Sequence, residues 1–230
     1  MVSAPVEVLA AHTWAMADPY AVALRTGRGP LFLRRTDGWL LPLDVERWCS
    51  EPDAADRTVL TACHGPTLDI GCGPGRLVTA LNARGQSALG IDVSPEAVRR
   101  TRGAGGTALL RSVFDPLPSE GHWQTALLMD GNVGIGGDPA ALLTRVRDLL
   151  HPQGRLITEV APHGIADDLD EHAAVRLHDG TGPHGTTFPW ARVGPAALRR
   201  HATAAGWIQD GSWTVDGRRF VQLSRPQHPA

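Results

Sequence analysis

From Thr67 onward the apolar positions fall into a repeating pattern. Short apolar runs, "TLDI", "SALGID", "TALLR", "WQTALLMD" and "GRLITEV", alternate with the amphipathic stretches "GRLVTALNARG", "SPEAVRRTRG" and "DPAALLTRVRDLL". The runs are too short for helices and too continuous for a half-solvated sheet, which predicts strands buried on both faces. Strands separated by helices require right-handed crossovers and therefore a parallel sheet. The punctuation agrees. Ser94 and Asp138 stand where they can cap helices that open on Pro95 and Pro139, and Gly85 ends the helix before "SALGID".

The flanks read differently. Pro5 to Leu24 has helical patterning interrupted near Asp18-Pro19, and "PLFLRRTDGWLLPL" reads as a hairpin turning through Thr36-Asp37-Gly38. "SEPDAADRTVLTACHG" is a helix with Ser50 as the expected N-cap, Asp53 in the first turn and Gly65 as the stop. After Val160, "AVRLHDGTGPHGTTFPWARV" suggests an irregular hairpin, "GPAALRRHATAAGW" a helix, and the chain closes on a hairpin turning at Asp216-Gly217. A parallel sheet that finishes in a hairpin carries an antiparallel strand at its edge. The expected division is an N-terminal helical and hairpin cap over 1–66 and a ligand-binding domain over 67–225.

Composition narrows the partners. The chain has 230 residues, 42% of them hydrophobic, and a net charge of −2, which gives no electrostatic reason to expect nucleic acid or an anionic membrane as a partner. All 22 basic residues are arginine, scattered as singles and pairs without a basic stripe. Cys49, Cys63 and Cys72 match neither a zinc ribbon nor a disulfide framework, so no metal is expected and a reducing cytoplasm is. The opening "MVSAPVEVLAAHTWAMADPY" has no basic leader region, and no window approaches the roughly 18 apolar residues of a membrane span.

The chemistry concentrates in "TLDIGCGPGRL". A turn without side chains between a strand and a helix exposes main-chain amides and the helix N-terminus to a ligand. Asp92 ends the next strand, where a carboxylate can accept hydrogen bonds from both hydroxyls of a ribose. The two features together predict an adenosine-type ligand. A dinucleotide is disfavoured, because the third glycine of that fingerprint is replaced here by Arg76.

The order Gly71-x-Gly73-x-Gly75, preceded by Asp69, resembles the first motif of class I S-adenosylmethionine-dependent methyltransferases. With the terminal hairpin the resemblance runs from Thr67 to about Leu223. It implies an α/β, Rossmann-like seven-stranded mixed sheet of order 3-2-1-4-5-7-6, with strand 7 antiparallel and helices on both faces. It implies S-adenosyl-L-methionine as cofactor and S-adenosyl-L-homocysteine as product. Asp69, Gly71, Gly73 and Gly75 would shape the pocket for the methionine end, with Cys72 and Arg76 of the same loop among the cofactor contacts. Asp92 would hold the ribose and Val93 lie against the adenine. Ser112, Val113 and Phe114 of "SVFDPLP" would meet the adenine edge, with Asp115 at its margin. Asp130, Gly131 and Asn132 of "MDGN" would line cofactor and substrate. The Asn/Asp-Pro-Pro-Tyr run of methyltransferases acting on nucleobase amines is missing, which speaks against DNA-adenine methylation.

Cys72 reads as a small filler rather than a nucleophile. Asp130, His163 and His184 are the candidate catalytic groups; Trp14, Tyr20, Phe188 and Trp190 are candidate substrate walls, against the plainer reading that they pack the cap. Methyl transfer from a sulfonium is an in-line displacement dominated by orientation, so a base is needed only for hydroxyls or protonated amines. The expected function is methylation of a small molecule, a bacterial secondary metabolite being one class, with 1–66 and 161–192 closing over the cofactor. Rival expectations are aminopropyl transfer using the acidic run Asp167 to Glu171, a nucleic-acid or protein acceptor, and a relative that binds the cofactor without transferring anything.

Overall fold

The computed structural model describes residues 18–226. Residues 1–17, which hold Trp14 and much of the expected Pro5–Leu24 helix, lie outside them. The N-terminal elements are α1 (Asp18–Thr26), β1 (Phe32–Arg35), β2 (Leu40–Pro42), α2 (Val45–Trp48) and α3 (Ala54–Ala62). There follow β3 (Thr67–Ile70), α4 (Arg76–Ala83), β4 (Ala88–Asp92), α5 (Pro95–Gly103), β5 (Ala108–Leu110) and β6 (Trp123–Leu128). The C-terminal part holds α6 (Pro139–Leu149), β7 (Leu150–Val160), β8 (Asp170–His178), β9 (Pro183–Val193), α7 (Pro195–Ala204), β10 (Ile208–Val215) and β11 (Arg218–Ser224).

Seven strands form one sheet in the order β5-β4-β3-β6-β7-β11-β10. β3, β4, β5, β6 and β7 pair in parallel, and β11 runs antiparallel to both β7 and β10. This is the order and polarity expected from the sequence. The unbroken burial of β3 and β4 explains their continuous apolar runs, since helices cover both faces. On one face Leu142, Leu143 and Val146 of α6 and Leu198 of α7 pack on Leu68, Leu128 and Leu156. On the other, Val59 of α3, Leu77 and Leu81 of α4 and Val98 of α5 pack around Leu127, Ile157 and Phe220. Phe220 is fully buried and stacks on Trp213 with ring centroids 5.4 Å apart.

Ser94 and Asp138 cap α5 and α6 as expected, each accepting an N–H of the first turn. The start of α3 differs. Asp53, not Ser50, is its N-cap: Asp53 accepts the Asp56 N–H at 2.7 Å, and the Asp56 carboxylate accepts the Asp53 N–H at 3.4 Å. This reciprocal capping box holds two amides of the helix end. Ser50 donates instead to the Glu46 carbonyl at 2.6 Å, closing the preceding turn.

The expected N-terminal and post-Val160 hairpins join in a second sheet of order β2-β1-β8-β9. Leu33 pairs with Leu41 on one side and Leu177 on the other. One face of this sheet, with Leu33, Val175, Leu177 and Phe188, packs on Tyr20 and Leu24 of α1 and on Ala97 of α5. Around its rim Glu171 pairs with Arg35 and Arg192, and both guanidinium groups lie over the Trp39 ring.

Truncating Phe220 to alanine removes a fully buried ring from the centre of one core. Phe220→Ala is expected to lower the unfolding free energy by about 3–5 kcal/mol, read by chemical denaturation.

Candidate functional site

Beyond the carboxyl ends of β3, β4 and β6 lies a cavity of about 380 Å³, within the range that holds drug-sized ligands. Its floor is made by Ile70, Gly71, Cys72, Gly73, Pro74 and Arg76 after β3, and by Ile91, Asp92 and Val93 at the end of β4. Arg111, Ser112, Val113 and Phe114 follow β5 along one side, and Asp130 and Asn132 follow β6. Tyr20, Leu43 and Trp48 come from the N-terminal elements, and Phe188, Pro189 and Trp190 from β9 form the opposite wall.

The bare loop is fitted to its surroundings at two glycines. Gly75 caps α4 at φ 87°, and a Cβ there would lie 2.5 Å from Thr101. At Gly71 (φ +71°) a Cβ would lie 2.6 Å from Asn132 Nδ2, because that amide donates to the Ile70 and Gly71 carbonyls at 2.9 Å each. Gly73 instead faces the cavity. Its N–H donates to Asp92 Oδ2 at 2.9 Å, while Asp92 Oδ1 accepts the Ser94 N–H at 2.8 Å. Each Asp92 oxygen keeps a second lone pair for a ligand donor. Burial pushes the Asp92 carboxyl up to about 6, against the lowering effect of the Ser94 and Gly73 amides. Cys72 fills the space above Gly90, where a Cβ would come within 2.5 Å of its sulfur, and burial raises its thiol well above the ordinary range. It is a packing residue at the cavity edge.

Arg76, in place of a third glycine, turns away from the loop into a buried charge network. Its Nε and Nη2 donate to Asp56 at 2.8 and 3.0 Å, and its Nη1 donates to Asp130 Oδ2 at 2.8 Å. Arg218 donates to Asp56 at 2.8 Å and, as a fork, to Glu159 at 2.9 and 2.8 Å. Arg47 reaches Asp130 Oδ1 at 2.6 Å, and Glu159 accepts the Asp130 N–H at 2.9 Å. Asp130 sits at φ 57°, a left-handed conformation that aspartate tolerates better than most residues. Burial alone would raise the Asp130 carboxyl, but Arg76, Arg47 and Arg218 hold it well below the carboxylate range. An anion so clamped is a poor proton acceptor at neutral pH. Its contacts tie the loop after β6 to α2, α4 and β7.

Of the other expected site residues, Gly71, Cys72, Gly73, Arg76, Asp92, Val93, Ser112, Val113, Phe114 and Asn132 line the cavity, as do Tyr20, Phe188 and Trp190. Asp69 lies beneath the loop, and burial pushes its carboxyl up to about 7 despite the opposing charge of Arg76. Gly75 and Gly131 shape turns without reaching the cavity wall. His163 and His184 are not brought to the cavity: His163 is exposed after β7, and His184, at the start of β9, pairs with Asp179 of the preceding turn at 2.9 Å. The sequence reading missed Trp48, Ile135 and Pro189. Only the fold shows that the loop after β6 meets β9, through an antiparallel bridge between Ile135 and Trp190.

Residues 67–154 match the family model described as a methyltransferase domain. No curated protein matches the chain in a sequence search. Among solved structures, an S-adenosylmethionine-dependent methyltransferase from Bacteroides fragilis in complex with S-adenosyl-L-homocysteine superposes with a TM-score of 0.76 at 20% identity, covering 93% of this chain and 97% of that one. The 1,6-didemethyltoxoflavin-N1-methyltransferase of Burkholderia thailandensis, solved with 1,6-didemethyltoxoflavin and S-adenosylhomocysteine, gives 0.64 at 19% identity over 99% and 92%. The CcbJ methyltransferase of Streptomyces caelestis gives 0.58 at 17% identity over 76% and 90%. The fold is that of the class I S-adenosylmethionine-dependent methyltransferases. The family match is confined to residues 67–154, and the likeness to these solved structures is one of fold.

Two outcomes follow from the charges. Arg76→Leu strips Asp56, which is fully buried, of its bidentate partner and leaves it Arg218 as its one ion partner among the described residues; a loss on the order of 3 kcal/mol in unfolding free energy is expected by denaturation. Asp69 works in the opposite direction. Its folded pKa of about 7 lies above the ordinary 3.8, so its ionisation costs stability progressively as pH rises through that interval. Asp69→Asn should therefore gain on the wild type between pH 4 and 7 and hold a constant advantage above, read as melting temperature against pH.

Proposed function

We propose that this chain is an S-adenosylmethionine-dependent methyltransferase acting on a small molecule. The observation that carries the reading is the cavity floor: a side-chain-free turn and a strand-terminal carboxylate, Asp92, with spare lone pairs, open into one space. The ribose hydroxyls would donate to Asp92. The adenine would lie along Val93, Val113 and Phe114, and the methionine end would extend over Gly71 toward Asp130 and Asn132. The proposed cap over 1–66, together with β8 and β9, would close the acceptor side.

The acceptor side is aromatic. Tyr20 and Trp48 meet edge to face with centroids 6.3 Å apart, and Phe188 and Trp190 do so at 6.4 Å. Such walls favour a flat, largely apolar molecule. The Trp48 indole N–H is buried without a partner among the described residues, and a polar atom on the acceptor would satisfy it. Among the described residues lining the cavity there is no histidine, and Asp130 is held as a weakly basic anion. The acceptor is then one that brings its own lone pair at neutral pH, such as a ring nitrogen or a neutral amine. Alignment of that lone pair with the S–CH3 axis would supply the rate enhancement. Aminopropyl transfer is disfavoured, because no residue of the acidic run Asp167 to Glu171 lines the cavity; Asp167 is bound to Arg219, and Glu171 to Arg35 and Arg192.

Isothermal titration with S-adenosyl-L-homocysteine is expected to give micromolar binding, as an order of magnitude, and Asp92→Ala to weaken it at least about tenfold, or ~1.4 kcal/mol. Because ribose hydroxyls donate to the ionised carboxylate, wild-type affinity should decline as pH falls through about 6 and the variant should lose that dependence. Equal affinity of wild type and variant at pH 7.5 would rule out the ribose role.

A further inference from the structure

Away from the cavity, Asp170 and His172 project from the same face of β8, two positions apart, toward His201 in the last turn of α7. Their ligating atoms all lie within 4.8 Å of one another. Asp170 Oδ1 is 2.8 Å from His201 Nε2 and 3.1 Å from His172 Nε2. The far side of the His172 ring decides what this contact means. His172 Nδ1 lies 2.7 Å from the Gly137 carbonyl oxygen, which can only accept, so Nδ1 carries the proton. In the neutral ring Nε2 then presents a lone pair, and that lone pair faces a carboxylate oxygen that also has only lone pairs to offer. Either the ring takes a second proton, or a cation sits between the two atoms.

We propose that Asp170, His172 and His201 form a zinc-binding site. Two imidazole nitrogens and one carboxylate oxygen are a donor set suited to a divalent zinc ion, with water in the fourth position. A tetrahedral ion with ligand bonds of about 2.0–2.2 Å sets its ligand atoms roughly 3.3 Å apart. The Asp170–His201 and Asp170–His172 separations of 2.8 and 3.1 Å need open by only a few tenths of an ångström to admit it. The remaining contacts are those of an outer shell. The Gly137 carbonyl fixes the His172 tautomer, and Arg200 Nη2, 3.3 Å from Asp170 Oδ2, leaves Oδ1 free for the ion. The positive charge of Arg200 works against the ion, while side-chain exposures of 28% for Asp170 and 19% for His201 leave an entry path. The sequence gives no cue, because Asp170 and His172 meet His201 only after β9 and α7 have folded back.

The site does not depend on the proposed methyl transfer. An ion there ties α7 to β8 and, through the His172 ring, to Gly137, whose neighbour Gly136 lines the cavity. It braces the acceptor side from behind.

The test is a zinc titration of chelator-stripped full-length protein by calorimetry, with cobalt(II) absorption as the second measurement. One zinc per chain, a melting temperature that rises with zinc, and visible bands of tetrahedral cobalt are expected. His172→Ala and His201→Ala should each weaken binding at least about tenfold. Asp170→Asn, which keeps the shape, serves as the third variant should either alanine variant fail to fold by circular dichroism. No saturable binding up to about 1 mM zinc, or binding that survives unchanged in the folded variants, overturns the site.

Discussion

The guanidinium of Arg76 is the fixed point from which the site is built. It sits at the start of α4, directly after the bare turn, and holds Asp56 of α3 and Asp130 beyond β6 at once. Arg218 of β11 shares Asp56 and binds Glu159 of β7, and Arg47 of α2 closes on Asp130. Buried charges are costly unless fully paired and hydrogen-bonded. Here the pairing is close to complete, and its result is geometric. It fixes Asp130 in its left-handed conformation, which delivers Asn132 back onto Gly71 and sets the shape of the glycine loop. The arginine that breaks the dinucleotide pattern thus substitutes electrostatic bracing for the close helix packing that a glycine would allow.

Two construction methods meet at the cavity. The floor comes from the ends of parallel strands, where polar backbone and one carboxylate are offered to a ligand. The opposite wall comes from a second sheet whose aromatic side chains offer mainly surface. Asp92 and Asp130 stand close in the same space yet are tuned apart: burial raises the first toward neutrality, while arginines depress the second. The two carboxylates therefore differ in proton affinity although they line one cavity.

Much of this was legible in the sequence, and the reasons are local. β3, β4 and β6 are short apolar runs ended by glycine or aspartate, and the caps at Ser94 and Asp138 each act within one turn. The cavity floor was readable because it lies on turns that directly follow the strands. What escaped depends on distant pairing. Nothing near Leu33 announces Leu177 as its strand partner, and nothing near Trp48 places it on a cavity wall. Ser50 was a plausible cap, but the reciprocal carboxylates of Asp53 and Asp56 hold the helix end better. His163 follows β7 and His184 opens β9, the strand that carries Phe188 and Trp190 to the cavity, yet neither histidine reaches it.

The pairing of β1 with β8 also has a temporal side. Arg35 and Glu171, bridged at the rim of the small sheet, are 136 positions apart. During synthesis β1 and β2 leave the ribosome as a lone hairpin, too small to be stable alone, while the strands of the large sheet assemble behind them. Until β8 arrives, the hydrogen-bonding edge of β1 stays open to any other extended chain. The wall supplied by β8 and β9 therefore closes only after β3 to β7 have been made, and the cavity floor can be in place before anything covers it.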